Sequence, residues 1–251
     1  MIDIHTHILP HIDDGAKNSQ TSQEMLNQLV AQGVKSVVLT PHYYGKKCSP
    51  DEFVKRRNAA FERIQEKIPA GIETRLGVEV YFPGFNMPQN DDLCKLAIEG
   101  TKYILVEFPF TTVWSSQLLQ RLNDFIQDTG YTPIVAHAER YREVQKRPAL
   151  VSQLIRMGCL IQVNASAFLD KHEKKLAFAL LKHGFVHCLG TDAHDLAERA
   201  PDFTAAKKAV EKAGGLAMWQ RAENIMEKVL ADRQVCVEYG KPIKKVLGFY
   251  R

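Results

Sequence analysis

Imidazole and carboxylate side chains recur at the ends of successive short apolar runs in this chain. His5 and His7 close Ile2-Asp3-Ile4, His42 follows Val37-Val38-Leu39-Thr40-Pro41, and Glu79 follows Leu76-Gly77-Val78. Glu107 follows Ile104-Leu105-Val106, His137 follows Ile134-Val135-Ala136, and Asp192 with His194 follow Leu189-Gly190-Thr191. A buried strand has no packing use for a charge or an imidazole at its tip, whereas the catalytic groups of a parallel barrel gather there. Imidazole and carboxylate without thiolate suit Mn, Fe or Zn, and carboxylates able to bridge suit two or more ions ~3.5–4 Å apart. Residues two apart on a strand share a face, so His5-Thr6-His7 can grip one ion and Asp192-Ala193-His194 repeats the arrangement. Asp13-Asp14-Gly15, on the loop after the first run, offers one aspartate as a ligand and a glycine for the bend.

These residues need a frame that brings distant strand ends together. Short runs rich in Val, Ile, Leu, Phe or Tyr predict strands over 2–6, 35–40, 74–80, 102–108, 132–137, 159–164 and 186–191. Helices fall between them. The first is expected to open on a capping box at Thr21-Ser22-Gln23-Glu24, and the second on Ser49-Pro50-Asp51-Glu52, with proline at its first position. Further helices are expected near 115–128, 148–157, 172–183, 202–213 and 218–230. An open doubly wound sheet would alternate in the same way, but it concentrates its site at one switch point. Strand-end groups spread over six runs select a barrel mouth instead. The expected fold is a distorted, seven-stranded (β/α) TIM-like barrel, with residues 1–251 forming a single domain.

Composition narrows the function. The 251 residues are 45% apolar, enough for a large core, and the net charge of +4 comes from scattered bases interleaved with acids, so no nucleic-acid partner is expected. Asp3 and two histidines stand where a signal peptide would need an apolar run, and no stretch approaches the ~20 apolar residues of a membrane span. A cytoplasmic protein with no membrane insertion is expected. Cys48, Cys94, Cys159, Cys188 and Cys236 are odd in number and widely spaced, which argues against a disulfide framework. A thiol phosphatase would place arginine six positions after its cysteine; here those positions are Val54, Gly100, Ala165, His194 and Pro242.

Taken together, His5-x-His7, Asp13-Asp14-Gly15, Thr40-x-His42, Gly77-Val78-Glu79, Val106-Glu107-Phe108, Ala136-His137-Ala138-Glu139-Arg140-Tyr141, Gln162-Val163-Asn164 and Thr191-Asp192-Ala193-His194 resemble the polymerase and histidinol phosphatase (PHP) superfamily. Within it the chain is most similar to the bacterial manganese-dependent tyrosine-protein phosphatases of capsule and exopolysaccharide operons. The resemblance runs from residue 1 to about 200. It implies a barrel with three Mn2+ ions at its mouth, Fe or Zn being alternatives. His5, His7, Glu79 and Asp192 would hold one ion, Glu79, Glu107 and His137 a second, and Asp14, His42 and His194 the third. Arg140 and Arg199 match the two arginines that surround the phosphate.

The implied activity is hydrolysis of phosphotyrosine by metal-activated hydroxide, acting on the tyrosine-rich tail of a membrane-bound autokinase of polysaccharide export. A small-molecule phosphatase such as histidinol-phosphate phosphatase is the alternative, and a non-catalytic metal-binding accessory domain is a more distant one. His11, His172, His183 and His187 are not expected as ligands, and Asn164 is expected to orient a ligand or water. Phe110 and Trp114 could form an aromatic rim or simply pack. Lys46 and Lys47 follow His42 on a loop at the mouth, where they could attract an acidic, multiply phosphorylated tail, although solvated lysines are the commoner case. Beyond residue 200 the chain departs from the pattern, lacking an Asn-Pro pair near Asn224 and ending in the basic Lys241-Pro242-Ile243-Lys244-Lys245.

Overall fold

Strands and helices alternate along the chain in the computed structural model, which describes residues 1–82, 90–237 and 240–251. The strands are β1 (Ile2–Thr6), β2 (Ser36–Leu39), β3 (His42–Tyr43), β4 (Glu73–Leu76), β5 (Glu79–Tyr81), β6 (Tyr103–Glu107), β7 (Thr132–Val135), β8 (Leu160–Asn164) and β9 (Cys188–Gly190), followed by a hairpin of β10 (Lys245–Val246) and β11 (Phe249–Tyr250). β3-β5-β6-β7-β8-β9 form one parallel sheet in that order, and β1-β2-β4 form a second. Thr6 bridges Ala193, and the His7 amide donates to the Ala193 carbonyl at 2.9 Å, so β1 lies against the end of β9. The result is a curled parallel half-barrel whose strand ends face one mouth.

The main sheet has six strands, which corrects the expected seven. The run expected over 74–80 divides at Gly77-Val78 into β4 and β5, and the run over 35–40 stops before Pro41 and restarts as β3. Pro41 has no N–H to give a ladder, so pairing lapses there. The Gly77 amide still reaches the Leu39 carbonyl at 2.9 Å and the Glu79 amide reaches that of Pro41 at 3.0 Å, so both chains bend together. That shared bend sets His42 opposite Glu79 in the new ladder.

Helices cover the outside: α1 (Ser19–Ala31), α2 (Pro50–Glu62), α3 (Asn90–Leu96), α4 (Ser116–Thr129), α5 (Arg142–Lys146), α6 (Ala149–Arg156), α7 (Lys174–Lys182), α8 (Phe203–Lys212) and α9 (Leu216–Leu230). The Ser49–Glu52 capping box of α2 forms as expected. α1 begins earlier than its sequence signal, because the Asn18 side chain accepts the Thr21 amide and caps the helix itself. α3, α5 and the C-terminal hairpin have no counterpart in the periodicity; in the stretch 218–251, residues 238 and 239 lie outside the described residues. Strand residues such as Ile4, Val37, Leu105, Ile134 and Val163 are fully buried, each worth roughly 1.5–3 kcal/mol of transfer energy. On the far side Trp219 of α9 packs its ring against those of Phe168 and Phe203.

Candidate metal centre

His5 and His7 leave β1 on the same side and are both fully buried. Their Nε2 atoms lie 3.1 Å apart, and both face Glu79 Oε2, at 3.4 and 3.3 Å, and Asp192 Oδ1, at 3.5 and 3.4 Å. Glu79 is the hub: its Oε2 is also 2.9 Å from His42 Nδ1, and its Oε1 is 3.0 Å from His137 Nε2. Glu107 approaches His42 at 3.5 Å and His137 at 3.9 Å. Asp14 Oδ1 stands 3.5 Å from Nε2 of both His42 and His194. All nine residues expected as ligands therefore meet at one mouth. Their donor atoms fall into three groups: His5, His7 and Asp192; His42, Glu79 and Glu107; and His7, Asp14, His42 and His194. His137 is outside these groups, although it remains in contact with Glu79.

The supporting bonds decide which nitrogen of each ring faces inward. His7 Nδ1 is 2.8 Å from Asp13 Oδ2, and a carboxylate there accepts the ring N–H, turning Nε2 toward the centre. The same Asp13 accepts the amides of Gly15 and His42, at 2.9 and 3.0 Å. His5 Nδ1 faces Gln162 Oε1 at 3.2 Å, and that oxygen also accepts the His137 amide at 2.7 Å. Asp3 accepts the Thr191 amide and hydroxyl, tying β1 to the last strand. Asn164, expected to orient a ligand, donates to Asp192 Oδ2 at 3.1 Å. The sequence assigns Asp13, Gln162 and Asp3 no individual role, although the Asp13-Asp14-Gly15 turn and the Gln162-Val163-Asn164 segment both belong to the resemblance.

Close approach makes glycine necessary at two points. A Cβ on Gly15 would collide with the His7 carbonyl and sit 2.6 Å from His7 Cβ, and one on Gly190 would sit 2.6 Å from His5 Cβ. His137 and Asp192 adopt left-handed backbone, with φ of 32° and 54°, a strained choice for residues with a Cβ. The Asp192 amide is held there by the His5 carbonyl at 2.8 Å.

Electrostatics favour added positive charge. Burial by itself would raise the Glu79 carboxyl, but His5, His137 and His42 hold it well below the usual carboxylate range. Burial opposes protonation of His7 as well, yet Asp13 and Glu79 raise it well above the ordinary imidazole value. His194 is held down to about 3 by burial and the neighbouring His7, so it stays a neutral donor. Glu107 is pushed up to about 7 by burial and the charge of Glu79. The protons that His5 and His7 attract occupy the nitrogens a metal ion would take. The donor set fits such ions on a second count: buried Glu79 Oε2, His42 Nδ1 and His194 Nε2 have no hydrogen-bond partner, even though the first two are 2.9 Å apart. Glu79 Oε2 and His42 Nδ1 are close but misaligned for a mutual hydrogen bond, which leaves them as donors that an ion could satisfy.

The two arginines converge on the outer oxygen of Asp192, Arg199 at 2.7 Å and Arg140 at 3.2 Å. They border a cavity of about 270 Å3 that also includes Asn164 and Glu173. The Arg140 guanidinium lies 4.4 Å from the Phe110 ring centroid, so Phe110 belongs to the rim. Trp114 does not: it is buried against Phe108 and Tyr141. His11 is exposed, His183 Nδ1 bonds the Ala179 carbonyl, and buried His187 accepts the Ile161 amide, so none joins the centre.

Comparison with known proteins agrees with this geometry. The chain is 32% identical to the tyrosine-protein phosphatase YwqE of Bacillus subtilis, over the full length of both. It is 31% identical to the tyrosine-protein phosphatase CpsB of Streptococcus agalactiae, covering 84% of this chain and 89% of that one. Among solved structures it superposes with a TM-score of 0.81 and 30% identity on a chain from crystal structures of YwqE from Bacillus subtilis and CpsB from Streptococcus pneumoniae, described as unique metal-dependent tyrosine phosphatases; 97% of this chain and 100% of that chain are covered. A phosphotriesterase homology protein of Escherichia coli, 14% identical with a TM-score of 0.52 over 90% of this chain and 97% of that one, shares the fold alone. Residues 1–229 match the family model for capsular polysaccharide synthesis, CpsB/CapC, and the chain belongs to that family.

Proposed function

We propose that this chain is a metal-dependent protein-tyrosine phosphatase that uses Mn2+, three ions per chain, and acts in the cytoplasm on the phosphorylated tail of a membrane-bound tyrosine autokinase. The observation that carries the reading is the convergence of His5, His7, Asp14, His42, Glu79, Glu107, His137, Asp192 and His194 on one mouth, with Arg140 and Arg199 beside it. Relatives named as tyrosine-protein phosphatases over most of the chain support the substrate class. Five free cysteines accord with a reducing compartment, and among the described residues no helix is long and apolar enough to cross a membrane.

Bound divalent ions would offset the charge of a phosphate dianion and lower the pKa of water from 15.7 toward about 7. The protein's own groups do the rest. Asp13 and Gln162 lie against the outer nitrogens of His7 and His5, so the inward nitrogens are the ones that would exchange a proton for a metal ion. Arg140 and Arg199 offer planar forks to the equatorial phosphate oxygens, which a lysine cannot match. Asp192 holds both forks on the side of the centre where its other oxygen faces His5 and His7. Phe110, stacked under Arg140, offers a face to the tyrosine ring. Phenolate leaves with a pKa near 10, so the departing oxygen needs little protonic help.

The test is an assay of purified, Mn-loaded protein on a phosphotyrosine peptide, a phosphoserine peptide and histidinol phosphate. The phosphotyrosine peptide should be hydrolysed fastest, and excess chelator should abolish activity. Full activity in chelator would refute the metal mechanism, and a preference for histidinol phosphate would move the chain to the metabolite-phosphatase reading.

A further inference from the structure

A cavity of about 320 Å3, which shares no lining residue with the one beside Arg140 and Arg199, opens directly beside Asp14 and His42. Its walls include Tyr44 and Phe53, and its outer edge carries Lys47 and Arg56. The Lys47 ammonium lies 4.2 Å from the Tyr44 ring centroid, and that ring in turn lies 5.6 Å from His42. The aromatic wall thus runs from the centre to the cation.

Other cations nearby have evident structural partners. Lys95 pairs with Asp51 and Asp92 at 2.7 and 3.0 Å, and buried Arg57 donates to the Lys95 carbonyl at 3.0 Å. Lys47 and Arg56 differ: among the described residues neither has a carboxylate within ion-pair distance, and Arg56 makes only a long 3.4 Å bond to the Ile12 carbonyl. Two cations with free donors thus share one concave, aromatic-walled space with the carboxylates Asp13 and Asp14, and Asp13 already accepts three hydrogen bonds. Lys46, next in sequence and also exposed, does not line it.

We propose that this cavity is a second anion subsite, which holds an acidic side chain of the substrate peptide, carboxylate or phosphate, while the scissile phosphotyrosine occupies the centre. The proposal rests on the phosphotyrosine reading above. Taken as a sphere, the 320 Å3 cavity is about 8 Å across, and side chains two apart on an extended peptide lie about 7 Å apart on one face. An anion two residues from the phosphotyrosine is therefore displaced by a distance comparable to the width of the cavity that Lys47 and Arg56 line.

The experiment compares kcat/KM of the Mn-loaded wild type, Lys47→Ala/Arg56→Ala and Lys46→Ala on three phosphotyrosine peptides. These are identical except for glutamine, glutamate or a second phosphotyrosine two residues away, placed on either side. The wild type should prefer an acidic peptide over the glutamine peptide by about fivefold or more, the scale for two partly sheltered charge contacts. The double variant should lose that ratio and Lys46→Ala should keep it. A gain shared by glutamate assigns the subsite to carboxylates, and a gain confined to the second phosphotyrosine assigns it to phosphate; both support the proposal. Equal rates on all peptides, or a preference that survives in the double variant, would overturn it. No hydrolysis of any peptide by the wild type would overturn the phosphotyrosine reading and the subsite with it.

Discussion

Asp13→Asn is the sharpest test of how this centre is organised, because it changes one atom of a residue outside the nine candidate ligands. The carboxylate accepts three hydrogen bonds, from His7 Nδ1, the Gly15 amide and the His42 amide, at 2.8, 2.9 and 3.0 Å, and its side chain is only 4% exposed. Asp13 Oδ1 accepts the Gly15 amide while Oδ2 accepts both His7 Nδ1 and the His42 amide, so the single oxygen of an asparagine serves one side only. With its NH2 toward His7 it favours the tautomer with the proton on Nε2, the nitrogen that faces Glu79 and Asp192; with its NH2 against the Gly15 amide it keeps the His7 bond but removes the negative charge that strengthens the imidazole as a ligand. The expected result is a loss of about 10–100-fold in metal affinity, or about 1.4–2.7 kcal/mol. Competition with a graded chelator reads the affinity, and thermal unfolding at saturating metal checks that the fold survives. A folded variant whose affinity stays within threefold of the wild type would refute the assignment of Asp13 as the carboxylate that orients and charges His7 for metal.

Two further outcomes follow from other parts of the molecule. Arg140→Ala should cut kcat by about 10²-fold, the scale for losing one transition-state charge donor. Metal content and melting temperature should hardly move, because Asp192 keeps Arg199 and Asn164; activity within threefold of the wild type would remove Arg140 from the phosphate. His187, remote from the mouth, is held down to about 3 by burial and by Arg221, so the folded state keeps it neutral while the unfolded chain protonates near 6.5. Folding stability from this residue is therefore complete above about pH 6.5 and falls toward pH 3, by roughly 1.4 kcal/mol per pH unit. His187→Asn, which keeps an acceptor for the Ile161 amide, should flatten that slope, as denaturant melts at pH 5 and pH 7.5 would reveal; an unchanged slope would refute it.

Much of the site was legible in the chain because its signals are local. An imidazole or carboxylate at the end of an apolar run is visible without knowing where the run goes, and the capping box of α2 lies within four consecutive residues. Signals fail where a partner is far away in sequence. Trp114 could serve as rim or core until Phe108 and Tyr141 enclose it. Lys46 and Lys47 read alike along the chain, and only the cavity beside Tyr44 separates them. The first helix cap was misread because Asn18 competes with the Thr21 signal three residues later.

By itself the sequence determined the alternation of strands and helices, the residue types at the strand ends, and the absence of a thiol nucleophile in phosphatase spacing, since each depends on periodicity or spacing over a few residues. The tertiary structure decided how the ends meet. Asp3 binds Thr191 across 188 positions, Gln162 joins His5 to His137, and the paired bends at Pro41 and Gly77 divide two expected strands and leave six in the main sheet. A hydrogen bond between residues so far apart leaves no periodic trace, because it exists only once the whole barrel has closed enough to bring both groups within 3 Å or so of each other.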